Sequence, residues 1–162
     1  MFKKKLFFFL IFLIFFYLGA CEDLKDNNNE IEINNNQNIN PNNNGKDLEI
    51  SGTWEDFGNK TIFDNENFNT AYGQSSIVEY DNSGNTFFYQ MSADDQYNPG
   101  KYGKLVWTEI ENDSFYYCLI AYGKETLEEA KDDTATADSS NPDTGGCGGF
   151  AWSKVTKFVE KK

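Results

Sequence analysis

Histidine and arginine are both absent from this 162-residue chain. Without histidine there is no Ser-His-Asp or Cys-His relay to activate a nucleophile, and no imidazole to hold zinc. Proline occurs three times and cysteine three times, so neither a polyproline segment nor a dense disulfide framework is available. Positive charge is scarce as well: fourteen lysines face 26 acids, for a formal net charge of -12. A surface this acidic repels phosphate backbones, which argues against nucleic acid as a partner. It also repels anionic lipid headgroups. A hydrophobic run of membrane-spanning length is missing too. The apolar stretch from Leu6 to Ala20 covers 15 residues, where a spanning helix needs about 20.

That stretch has a different meaning. Met1-Phe2-Lys3-Lys4-Lys5 is basic, Leu6 to Tyr17 is uncharged, and Leu18-Gly19-Ala20-Cys21 follows. Basic, then apolar, then small is the order of an export signal. The last four residues resemble the lipobox of bacterial lipoproteins. The resemblance implies cleavage between Ala20 and Cys21, a diacylglycerol on the Cys21 thiol, and fatty acylation, palmitate for instance, of the new amine. Each buried methylene contributes roughly 0.8 kcal/mol, so two or three chains hold a protein on a membrane. The expected location is outside the cytoplasm, on a bacterial membrane and by preference the outer one, facing the periplasm or the surface. Removing the signal takes away three lysines and no acid, so the mature chain carries -12 - 3 = -15.

Composition divides the rest. Residues 21–47 begin with Cys21 and run into an Asn-rich tract, Asp26 to Lys46, with too little apolar surface to offset its chain entropy. We read it as a disordered tether with a reach of roughly 30 Å. Residues 48–162 change texture, with aromatic and β-branched runs broken by Gly, Asn and Asp. This pattern predicts an all-β fold, a small antiparallel meander closing into a barrel or packing as a sandwich. Predicted strands are Leu48–Phe57, Thr61–Phe68, Ser76–Tyr80, Thr86–Met91, Lys104–Glu111, Ser114–Tyr122 and Phe150–Phe158. Gly84 and the pair Asn112-Asp113 are the expected left-handed turn positions. Lys124–Lys131 predicts one short surface helix, capped by Thr126 with Glu129 closing a capping box. Trp54, Ile77, Trp107, Phe115, Leu119 and Trp152 are the predicted core. Among them Trp54, Trp107 and Trp152 are core or binding aromatics.

With Cys21 assigned to lipid, Cys118 and Cys147 remain, an even number in an exported chain, which reads as one disulfide. Glu79, Glu109 and Glu111 are the acids a carboxylate-based hydrolase would draw on, although isolated acids on strands are ordinary. Asp132, Asp133, Asp138 and Asp143 give an acidic loop without the ligand order of a calcium loop. No cofactor or metal is expected. Phe115-Tyr116-Tyr117 sets aromatics on both faces of one strand, and Tyr72, Tyr89, Tyr97 and Tyr102 add more than a small core easily hides.

Gly52-Thr53-Trp54 resembles the Gly-x-Trp that closes the barrel floor in lipocalins, although the arginine that packs on that tryptophan has no counterpart here. Ser51-Gly52-Thr53-Trp54, Lys104 to Glu109, Ser114 to Cys118 and Cys147 to Trp152 together resemble small lipoproteins of spirochaetes. That resemblance implies an anchored surface or periplasmic protein and carries no activity. The expected function is non-catalytic: an anchored β-domain that binds a protein or glycan partner. The alternatives are a lipocalin-like carrier of a small apolar ligand and, more remotely, a hydrolase.

Overall fold

The computed structural model describes residues 46–160. The signal, Ala20, Cys21 and most of the tether lie outside the described residues. Eight antiparallel strands follow one another around a closed barrel: β1 (Gly52–Asp56), β2 (Asn59–Phe63), β3 (Asn67–Thr70), β4 (Gly73–Asp81), β5 (Thr86–Met91), β6 (Tyr102–Trp107), β7 (Ser114–Lys124) and β8 (Ser153–Lys157). Each strand pairs with its neighbours in sequence, and β1 pairs with β8 to complete the ring. The fold is therefore the barrel, and the sandwich is excluded. One helix, α1 (Leu127–Lys131), lies in the connection from β7 to β8.

Alternation explains the walls. In β5 Phe87, Tyr89 and Met91 point inward while Thr86, Phe88 and Gln90 point out; β6 repeats this with Gly103, Leu105 and Trp107 inside. The barrel is narrow and filled with rings. Phe63 stacks on Phe68 at 5.1 Å, and Phe87, Phe115 and Tyr117 surround it at 6.2, 5.8 and 6.1 Å. Trp54 meets Phe115 edge-on at 4.7 Å. Such pairs contribute about 0.5–1.5 kcal/mol beyond area burial.

Several expectations need correction. Leu48 to Ile50 is not strand. It turns through Ser51 N–H donating to Leu48 O and inserts both apolar side chains, fully buried, into one end of the barrel. Thr61–Phe68 is two strands, because the Asp64 carboxylate accepts from the backbone N–H groups of Glu66 and Asn67 and turns the chain. β6 stops at Trp107, so Glu109 and Glu111 sit in a connection. At the β4–β5 turn the positive φ belongs to Asn85, not Gly84; at the β6–β7 turn Asn112 and Asp113 are left-handed as expected. Leu119 is not core: it is 39% exposed at the barrel's far end. Trp152 is buried outside the barrel, under the β7–β8 connection, its Nε1 donating to Asp138 O. The helix is shorter than predicted. Thr126 caps it by accepting from Glu129 N–H, while the Glu129 carboxylate reaches Glu125 N–H, one residue beyond a capping box.

Candidate functional site

The connections sort by end. The β2–β3, β4–β5 and β6–β7 turns share one end with the entering chain, and the opposite end carries the β1–β2, β3–β4 and β5–β6 connections and the exit from β7. The first end is closed. Leu48 and Ile50 fill it, Trp54 Nε1 donates to Ile50 O at 2.9 Å, and Trp107 Nε1 donates to Glu49. Tyr80 donates to Lys46 O, Asn65 Nδ2 to Asp47, and Asn82 Nδ2 to Asp47 O. Among the described residues, the contacts that seal this end reach back to Lys46. Lys157 Nζ lies 4.6 Å from the centre of the Trp54 ring and supplies the cation that the missing arginine left open. Gly52 makes this possible: its φ is +146, and a Cβ there would come within 2.8 Å of the ammonium.

The other end is open and aromatic. Phe57 at the β1–β2 turn, Tyr72 at the β3–β4 turn, Tyr97 in the β5–β6 connection and Tyr122 near the end of β7 are 78%, 81%, 77% and 50% exposed. Phe57 and Gly58 both have positive φ, 48 and 80, in a two-residue turn between the paired Asp56 and Asn59. A bulky side chain rarely takes that geometry, at a cost on the order of 1 kcal/mol. Between these connections lies a pocket of about 150 Å³, lined by Phe68, Tyr72, Tyr89, Met91, Leu119 and Tyr122 with Asp95 at its edge. Such a space holds a group the size of benzene; ligand cavities start near 300 Å³.

Two buried polar atoms at this end lack a partner among the described residues: the Tyr89 hydroxyl and Asp56 Oδ1. The Tyr89 ring lies flat against Gly103, where a Cβ would fall 2.3 Å from it, so only glycine admits the ring. Burial holds its phenol well above the ordinary range. Asp56 accepts from the Tyr117 hydroxyl at 2.7 Å. Burial raises the Asp56 carboxyl above its usual value, and the Tyr117 bond opposes this in part. The folded protein then binds that proton more tightly than the unfolded chain does. Asp56 contributes fully below its unfolded pKa, roughly 4, and the contribution is lost as pH rises through the higher folded value. Asp56→Asn should therefore gain stability relative to the wild type as pH rises above the unfolded value of roughly 4, read by urea unfolding from acid to neutral pH. A difference that stays constant with pH contradicts this.

The remaining expected residues lie elsewhere. Cys118 and Cys147 form the disulfide, which ties the β7–β8 connection to the outer face of β7. Tyr89 is buried rather than exposed, and Tyr102 half-buried. Glu109 and Glu111 line an open cleft of about 550 Å³ by the closed end, both in solvent, while Glu79 pairs with Lys131 on the wall. Asp133 pairs with Lys124, Asp138 accepts from Ser140 N–H, and Asp143 accepts from Tyr116. Among the described residues no three candidate metal ligands come together. Sequence reasoning missed Phe57, Asp95 and Asp56. For Asp56 a signal existed: it lies two residues after Trp54, on the same inward face. None of the protein-family models, curated proteins or solved structures compared with the chain matches it.

Proposed function

We propose that this chain is a bacterial lipoprotein, anchored through Cys21 on the outer membrane, whose barrel binds a protein partner by its open end and catalyses nothing. The observation that carries the reading is the exposure of Phe57, Tyr72, Tyr97 and Tyr122, from three connections and the end of β7, at the end opposite the entering chain. Aromatic side chains are enriched at protein interfaces, where they bury large areas at low entropy cost. The strained backbone at Phe57 supports it, since an Asn would meet the turn's demand more cheaply. The carrier alternative is weakened by an interior packed with rings and by the small pocket.

The experiment uses the full lipidated chain with a photo-crosslinking amino acid placed at Phe57, Tyr72 or Tyr97, and at Thr156 on the wall as control. Protein adducts should form from the three open-end positions and not from Thr156. Adducts of equal yield from every position, or none at all, overturn the binding end; adducts of carbohydrate alone overturn a protein partner. In parallel, Cys21→Ser should abolish lipid labelling and partition into the aqueous phase of a detergent extraction. Unchanged partitioning removes the anchor.

A further inference from the structure

We propose that the open-end pocket receives a primary alkylammonium group, the chemistry of a lysine side chain, with Asp95 and the Tyr89 hydroxyl taking its N–H groups and the surrounding rings taking its carbon stem. This rests on the reading of the open end as a binding surface and names what enters it. Four features of the pocket agree. First, its charge is one-signed: Asp95 is present, and none of the lining residues is cationic. Asp95 is also fixed. Its Oδ1 accepts from Tyr97 N–H at 2.9 Å and Asn98 N–H at 2.7 Å, and its Oδ2 reaches across to the β3–β4 turn, 3.4 Å from where a Cβ on Gly73 would sit.

Second, the Tyr89 hydroxyl is buried with no hydrogen-bond partner among the described residues, in a side chain 1% exposed that lines the pocket. An orphaned buried hydroxyl costs free energy that a ligand's N–H recovers. Third, most of the rest of the lining is apolar or aromatic, with the uncharged Thr70 and Ser75 beside it. Phe68, Met91 and Leu119 suit a four-carbon stem, and the rings of Tyr72 and Tyr122 attract a cation. Fourth, the size fits: about 150 Å³ admits a lysine side chain and excludes a larger head. The formal charge of -15 without the signal draws such a cation from a distance, with an on-rate that falls as salt rises.

The core that closes the barrel runs from Leu48 to Val155, so the chain from Glu22 onward carries the complete folded unit. That form is titrated with n-butylammonium and, separately, with its neutral counterpart 1-butanol, and followed by backbone amide shifts. Butylammonium should bind with a dissociation constant on the order of millimolar, as befits a five-atom ligand. It should shift amides at Gly73, Asp95 and Tyr122, and butanol should bind at least tenfold more weakly.

Asp95→Asn keeps the turn's acceptor and removes the charge; it should weaken butylammonium roughly tenfold and lessen the salt dependence. Tyr89→Phe separates function from structure. Deleting an unpartnered hydroxyl should leave the unfolding midpoint unchanged or higher, yet weaken butylammonium severalfold to tenfold. A peptide with one lysine against the same peptide acetylated then distinguishes a side chain from a free amine: discrimination between them assigns a lysine, and equal silence with butylammonium still bound assigns a free amine, both upholding the site. Equal binding of butanol, binding insensitive to Asp95→Asn, or no binding at all overturns it. Loss of butylammonium binding with open-end crosslinks intact removes this pocket assignment alone. Loss of the crosslinks removes the binding end itself.

Discussion

Phe63→Ala is expected to cost about 3–5 kcal/mol, the range for removing a fully buried aromatic ring. Phe63 is 1% exposed and its ring meets those of Phe68, Phe87, Phe115 and Tyr117, so its loss leaves a hole bordered by four rings from three other strands. In a filled barrel those rings cannot all move inward without breaking the inter-strand ladders that fix their backbones. The loss is thus transfer free energy plus a cavity. A domain of this size has about 5–15 kcal/mol in total, so the variant should stand near its unfolding limit at room temperature. Urea unfolding followed by tryptophan fluorescence checks this: the midpoint should fall steeply with the slope unchanged. A cost below 1 kcal/mol would mean that the barrel collapses around the hole.

Cys118→Ala with Cys147→Ala should cost about 2–5 kcal/mol. The bond closes a loop with a sequence separation of 29, for which the chain-entropy relation gives roughly 3.5 kcal/mol. The effect should be local as well as global. Among the described residues, Tyr116 donating to Asp143 is the other tie from residues 134–149 to the wall, while Trp152 N–H and Nε1 donating to Pro142 O and Asp138 O and the Ala137–Cys147 bridge brace the connection against itself. Without the disulfide, residues 134–149 should become the first site of proteolysis while the barrel persists. Limited proteolysis with and without reductant checks this, mass spectrometry locating the cut. First cleavage in the β5–β6 connection instead would show that those contacts suffice alone.

The sequence and the structure agree where a rule of period two has a wall to act on. Thr86–Met91 has the predicted bounds because its alternation is uninterrupted. Asn112-Asp113 turns as expected because both tolerate left-handed backbone. Failures occur where a side chain overrides the pattern. Asp64 converts one apparent strand into two by capturing the next N–H groups, and Leu48-Glu49-Ile50 alternates like a strand but serves as a stopper. Leu119 follows register shifts between β6 and β7 that no local signal announces. Tyr72 and Tyr97 were legible as excess aromatics, but their meeting with Phe57, Asp95 and Tyr122 was not. Those residues come from three connections and the end of β7, and only the closed order of strands puts them at one end.

That closed order also shapes how the protein reaches its native state. Seven of the eight strand pairings join sequence neighbours, all but β7 with β8 through shorter connections, so most hairpins can form quickly and independently. The eighth, β1 with β8, joins the two ends of the domain, Trp54 facing Lys157. It can form only after every other strand is in place. Until then both β1 and β8 are bare edges, open to pairing with another copy. The Cys118–Cys147 bond holds the segment just before β8 against β7, and it shortens the search β8 must make. Oxidation before closure therefore shortens the interval in which either edge is open to another copy.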